Sequence, residues 1–433
     1  GGLPAGWFEQ DARDWWRAVR DSLRQVTGAL PVGSHVSGIS VDSTSGTVLP
    51  VDVHGEPLHP AVMYNDRRSE GQVALVKEAG AQHQASHGYL FGSSYALPKI
   101  LWFLQDRPEI FTRTACFLHA ADFIAGKLSG DFRTTDTSNA LKTGYDLFEL
   151  HWPAWIEDGL SIPLDRLPRV VLPGAPIGVV STGAAEETGL AAGIPLFAGA
   201  TDGTAAQIAS GAARPGDWNS TLGTTLVFKG ISRELSLDPH GRVYFHRHPE
   251  GWWMPGGASN TGTDWIGQDH PGADLDELGR QAGVCVPTAL LRYPLVKKGE
   301  RFPFISPGAE GFLLGQPASI AELYAAGLEG LAYVERLAYT VLQEIGLEVG
   351  ERIFITGGGT RSPEWSRIRA SVLEKTLVQP AVTETAFGAA VLAASGCWFS
   401  SASRAAAGMV RTSAVYEPDP VLVPAYRQRS QAF

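Results

Sequence analysis

Cysteine is scarce in this sequence of 433 residues: there are three, at positions 116, 285 and 397. They lie far apart, are odd in number and form no Cys-x-x-Cys pair. That excludes a disulfide framework and a clustered thiolate metal site, and reduced, buried thiols are expected. No apolar run reaches the roughly 20 residues that a membrane-crossing helix needs, and no basic-then-apolar leader opens the chain. The expected location is therefore the cytoplasm, with no membrane partner. There is no Lys/Arg-rich run and the net charge is −10, so nucleic acid is not expected as a partner. The sequence also lacks a G-x-x-x-x-G-K-[ST] loop, a clean G-x-G-x-x-G and an H-E-x-x-H, which argues against Walker-type nucleotidases, Rossmann dehydrogenases and zincins. His83 and His87, and His246 and His248, fall at ligand-like spacings, but without those motifs they read as structural or solvated.

What is present has the makeup of a soluble globular protein, 44% hydrophobic and 18% charged, with a length suited to two or three domains. The 50 glycines are scattered singly and in short clusters, as tight turns and close backbone approaches require. Residues 11–27 have helical periodicity, with Trp15, Val19, Leu23 and Val26 on one stripe and Asp11 as N-cap. Gly38–Val41 and Thr47–Val53 read as hairpin-like strands around Asp42-Ser43-Thr44-Ser45-Gly46-Thr47. Residues 70–129 are mainly helical. Ile194–Gly199 opens a new β-rich series that includes 221–228, and a domain boundary is expected near 196. A helix over 319–345 carries the stripe Leu331, Val334, Ala338, Val341 and Ile345, and a buried strand at Arg352–Thr356 precedes a helix at 362–376. The repeated β-then-α succession points to two α/β domains with a cleft.

Three stretches carry candidate chemistry. In Ala198-Gly199-Ala200-Thr201-Asp202-Gly203-Thr204 a strand delivers an aspartate among small neighbours, placing a carboxylate where it can take a proton from a substrate hydroxyl. Asp202 reads equally well as the N-cap of the following helix. In Ser220-Thr221-Leu222-Gly223-Thr224-Thr225, Gly223 is expected to supply the positive φ of a tight hairpin whose hydroxyls and N–H groups wrap a phosphate; the same pattern fits an ordinary turn. In Ile353–Pro363, a strand runs into Gly357-Gly358-Gly359, with Ser362 as cap and Pro363 at the first helical position. That gives bare backbone beside a helix start, suited to a nucleotide or only to packing.

The order of these stretches, together with Gly6-Trp7-Phe8-Glu9-Gln10-Asp11, Tyr64-Asn65-Asp66-Arg67-Arg68, Asp122–Asp131, Gly256–Gly262, Gly299–Phe304 and Glu384–Ala390, resembles the FGGY carbohydrate kinase family. The motifs are most similar to those of D-ribulose and D-xylulose kinases. The resemblance covers almost the whole chain from Gly6. It implies two actin-like (ribonuclease H-like) ATPase domains with an interdomain cleft, a sugar-binding domain over 1–196 and a nucleotide-binding domain over 197–433. It implies ATP and Mg²⁺ as cofactors, with transfer of the γ-phosphoryl group to a primary hydroxyl of a free ketopentose. Asp202 matches the catalytic base and a Mg²⁺ ligand. Ser45, Gly46, Thr47, Tyr64, Asn65, Asp66 and Asp202 fall where the family meets sugar. Thr221, Gly223, Thr224, Thr225, Gly262, Gly357, Gly358, Gly359 and Ser362 fall where it meets the nucleotide. Arg67 and Arg68 suit either substrate contact or surface ion pairs. The family opens with a strand bearing Asp-x-Gly-Thr, and this sequence begins after it. The first domain is thus expected without its leading strands, either in this stretch of sequence alone or as a truncated paralogue. The latter would be a catalytically impaired sugar- or nucleotide-binding protein. Another small sugar or polyol remains open as acceptor, and a homodimer is compatible with the family.

Overall fold

The computed structural model describes residues 2–433, and the chain divides into two compact units. The first comprises Gly1–Ile208, His246–Gly251 and Glu384–Met409; the second comprises Ala209–Phe245, Trp252–Thr383 and Val410–Phe433.

In the first unit, helix Ala12–Ala29 starts where Asp11 accepts a hydrogen bond from the Arg13 N–H, as its sequence predicts. Trp15, Val19 and Leu23 pack its apolar stripe onto a core that includes Leu49, Leu118, Phe123 and Leu196. The strands pair differently from a local hairpin. Ile39–Ser40 lies parallel to Pro195–Phe197, which pairs on its other edge with Pro176–Val179. Leu49–Val51 pairs antiparallel with Cys116–Leu118. Pro195–Phe197 therefore closes the first unit rather than opening the second, so that unit runs on to Ile208 instead of ending near 196. Glu384–Met409 joins the same unit because helix Thr385–Cys397 is built for close approach. A Cβ at Gly388 would lie 1.9 Å from the Ala205 carbonyl oxygen, and one at Gly396 would lie 2.0 Å from the Phe197 ring.

The second unit is built on a sheet of seven strands, of which the edge strand Tyr244–Arg247 has its last two residues counted with the first unit. Its order is Tyr244–Arg247, Trp253–Ser259, Leu226–Gly230, Trp218–Leu222, Arg352–Thr356, Thr376–Pro380, Thr412–Tyr416. Arg352–Thr356 runs parallel to both neighbours and is apolar on both faces, which suits a central strand. The expected single strand over 221–228 is two, because residues 223–225 turn the chain back. Helix Ile320–Glu344 is capped by Ser319, which accepts from the Glu322 N–H. It is tied to helix Pro363–Leu373 by a buried, two-pronged pair: Arg369 donates to both oxygens of Glu335 at 2.7 and 2.8 Å. Among the described residues no single helix is long and apolar enough to cross a membrane.

Candidate active site

Asp202 stands at the first position of helix Asp202–Ala209, one residue inside the cap. Its loop is held by backbone pairing with the Asp42–Thr47 loop: Ser43 N–H donates to the Ala200 carbonyl at 3.3 Å, and Asp202 N–H to the Ser43 carbonyl at 2.8 Å. Glycine is required at 199 for this approach, since a Cβ there would lie 1.7 Å from the Val41 carbonyl oxygen. A second tether comes from below. The Thr201 N–H donates to the Ser138 hydroxyl at 2.8 Å, and that hydroxyl donates to buried Asp136. Burial raises the Asp136 carboxyl above its usual range, while hydrogen bonds from Ser138 and Asn139 oppose the rise. The Asp202 side chain is exposed, with Oδ1 accepting from the Gly203 N–H at 2.6 Å. No cation pairs with it at ion-pair distance among the described residues.

The loop facing it is firmly seated. Gly46 has φ +82°, and a Cβ there would lie 2.3 Å from the Ser94 carbonyl oxygen and 3.1 Å from Lys142 Cδ. Ser45 is half-buried, whereas the Thr47 side chain is sealed. The Thr47 carbonyl accepts from His119 Nδ1 at 2.9 Å, which leaves Nε2 to accept from the Thr143 hydroxyl at 3.3 Å. Burial lowers the His119 imidazole to about 4, so it is neutral near pH 7.

Val48 pairs antiparallel with Val62, so the residues before 48 and those after 62 lie at one end of that ladder. Tyr64 and Asn65 are exposed there. Asp66 differs from its expected role. It is fully buried, and its carboxylate accepts from Phe8 N at 2.6 Å and from Arg68 N, Nε and Nη2 at 2.8–2.9 Å. The Arg68 guanidinium also reaches Glu9 at 2.6 Å and lies over the Trp7 ring at 4.0 Å. With every donor supplied by the chain, Asp66 acts as an anchor for this turn. Arg68 is likewise internal, and Arg67 is exposed.

In the second unit, residues 223–225 form the hairpin tip, with the Gly223 N–H donating to the Thr225 carbonyl at 3.0 Å. Gly223 is not in the left-handed region expected for it; the positive φ belongs to Gly357, at +89°. Thr224 is exposed and Thr225 half-buried. The glycines around the tip serve close packing. A Cβ at Gly262 would lie 2.1 Å from the Thr224 carbonyl oxygen, one at Gly357 2.5 Å from the Leu222 carbonyl oxygen, and one at Gly359 2.4 Å from the Leu222 side chain. Gly358, in contrast, is exposed, and nothing lies within 4 Å of a Cβ placed there. The Thr221 hydroxyl bonds that of Thr356 at 2.8 Å, and Ser362 caps its helix through the Trp365 N–H. Buried Glu300 gathers Ser259, Asn260 N and Thr261 at 2.7–2.8 Å, fixing the Gly256–Gly262 stretch. The open polar surface of this region is thus Thr224, Thr225 and the backbone at Gly358.

Residues 3–209 match the model of the N-terminal domain of the FGGY family of carbohydrate kinases, and residues 218–397 match that of its C-terminal domain. The chain belongs to this family. The xylulose kinase of Bacillus subtilis (strain 168) is similar at 25% identity over 98% of this chain and 87% of its own length. The gluconokinase of the same organism is similar at 26% identity over 89% and 79%. The crystal structure of xylulose kinase from Rhodospirillum rubrum superposes with a TM-score of 0.86 at 28% identity, covering 100% of this chain and 90% of that one.

This FGGY protein is therefore a two-domain carbohydrate kinase, and the family takes ATP as phosphoryl donor. Sequence reasoning passed over the segment 134–143, which supplies Asp136 and Ser138 beneath Asp202 and Lys142 beside Gly46. One signal was available: Asp136-Thr137-Ser138-Asn139 is an N-cap pattern, and Asp136 does cap that short helix.

Proposed function

We propose that this FGGY kinase transfers the γ-phosphoryl group of ATP to a primary hydroxyl of a free ketopentose, D-xylulose or D-ribulose, with Asp202 as the base. The observation that carries the reading is the Asp202 carboxylate: exposed, unpaired by any cation among the described residues, and tethered from both sides through its backbone. An acceptor hydroxyl donates to this carboxylate and gives up its proton as it attacks phosphorus. A positioned base of this kind contributes about 10²–10⁴-fold. The neighbouring Ser45 and the exposed Tyr64 and Asn65 offer hydroxyl and amide groups to orient a polyhydroxylated acceptor. In the second unit, Thr224, Thr225 and the open backbone at Gly358 offer donors to the nucleotide's phosphates.

Asp202 also suits Mg²⁺. A lone carboxylate oxygen without a protein partner fits an ion that keeps most of its shell as water and phosphate oxygens. Asp202 would hold it, and the ion would neutralise phosphate charge when bound.

The xylulose kinase relatives favour a ketopentose, while the gluconokinase at similar identity supports a second reading, a sugar acid as acceptor. A coupled assay of ADP release across D-xylulose, D-ribulose, gluconate and glycerol tests both. The expected result is the highest kcat/KM with a ketopentose. Preference for gluconate would replace the acceptor, and ADP release that no sugar stimulates would remove the kinase reading.

A further inference from the structure

Lys142 occupies a place no sequence motif marks. It lies in the turn Leu141–Thr143, directly after the short helix Thr137–Ala140. That segment touches both halves of the acceptor region. Ser138 holds the Thr201 N–H, next to Asp202, and Thr143 bonds His119, which holds the Thr47 carbonyl. Between them, the Lys142 stem lies along Gly46, 3.1 Å from where a Cβ would sit, and its Nζ is 5.9 Å from the Tyr95 ring centroid.

Lys142 is half-buried, yet no hydrogen bond or ion pair of its ammonium exists among the described residues. Lys99 shows the contrast. It is fully buried, and its Nζ donates to the Ser93 and Tyr95 carbonyls at 2.7 and 3.1 Å. Burial disfavours the charged form of Lys142, and the charge that offsets this is Asp202. The two act on one another without standing at ion-pair distance. Both attach to one loop, the Lys142 stem packing on Gly46 and the Asp202 N–H bonding the Ser43 carbonyl, and a sugar hydroxyl can accept from an ammonium while donating to a carboxylate.

We propose that Lys142 is a substrate-contacting residue of the acceptor site, its ammonium donating to the oxygen of the hydroxyl whose proton Asp202 takes. This rests on the kinase reading above. In the step, that oxygen bonds to the γ-phosphorus. The bond from the γ-phosphorus to the β,γ-bridging oxygen breaks, its electron pair leaves with ADP, and the hydroxyl proton passes to Asp202. Lys142 keeps its protons and stabilises the negative charge that builds on the attacking oxygen.

The test compares the full chain with Lys142→Met, Lys142→Gln and Lys142→Arg, using the best ketopentose, gluconate and ATP as varied substrates, with a melting curve for each. Lys142→Met is expected to lower kcat/KM for the ketopentose about 100-fold, mainly through kcat, with KM for ATP within about twofold of wild type. Lys142→Arg is expected to recover about tenfold of that loss. Should the Met variant fail to fold, the Gln variant carries the same expectation. Retention of kcat/KM within about threefold overturns the proposal, as does a loss confined to KM for ATP or to gluconate. A wild-type chain that turns over no sugar removes the kinase reading instead, and this inference with it.

Discussion

Asp202 and Asp66 both sit in stretches that resemble sugar-side motifs, yet the fold treats them in opposite ways. Asp66 is sealed, and every oxygen is occupied by Phe8 N–H or by Arg68. Asp202 is exposed, and its backbone rather than its carboxylate carries the structural bonds. A carboxylate with no spare lone pair builds a turn; one with a free oxygen is available for chemistry. The hairpin tip of the second unit offers a third case, where Gly262, Gly357 and Gly359 have given up side chains so that the backbone can pack. Chemistry there would come from main-chain N–H groups.

The comparison breaks if the two aspartates respond alike to substitution. Asp66→Ala leaves the Arg68 guanidinium buried with only Glu9 as partner and is expected to cost about 3–5 kcal/mol of stability, read by chemical denaturation. A loss of sugar affinity with unchanged stability would make Asp66 a ligand residue after all. Gly357→Ala is expected to cost about 1–3 kcal/mol, because φ +89° is strained for alanine and its Cβ meets the Leu222 backbone. Gly358→Ala, with open space around it, sharpens the contrast: its stability should be nearly unchanged while KM for ATP rises. Ser362→Ala removes a helix cap and should cost about 0.5–2 kcal/mol, visible as a lower Tm without a change in acceptor preference.

A separate effect is on pH dependence. His119 is neutral in the folded chain down to about pH 4, whereas unfolded histidine takes a proton below about 6.5. The unfolded state therefore binds more protons in that window, and stability falls as pH drops through it. His119→Asn should flatten that slope by at most about 1.4 kcal/mol per pH unit, read from Tm against pH.

Local patterns were legible in the sequence. The strand Arg352–Thr356, the capped helices after Asp11 and Ser362, and the small residues around Asp202 all follow from nearest-neighbour chemistry. Non-local pairing was not. Pro195–Phe197 has no sidedness to say which sheet it joins, and long-range contacts such as the fit of Gly388 and Gly396 against Ala205 and Phe197 return Glu384–Met409 to the first unit. The burial of Asp66 was hidden for the same reason, since its partner Phe8 lies 58 residues away. Lys142 stayed invisible because its place beside Gly46, in the segment whose Ser138 holds the Thr201 N–H, arises only in the folded chain.

The most direct test of the account is single-turnover phosphoryl transfer by Asp202→Asn, with sugar and ATP both saturating and the melting temperature recorded alongside. The exposed side chain carries no fold-critical bond, so Tm should stay at the wild-type value while the transfer rate falls about 10²–10⁴-fold. Transfer at a near wild-type rate in the folded variant would contradict it.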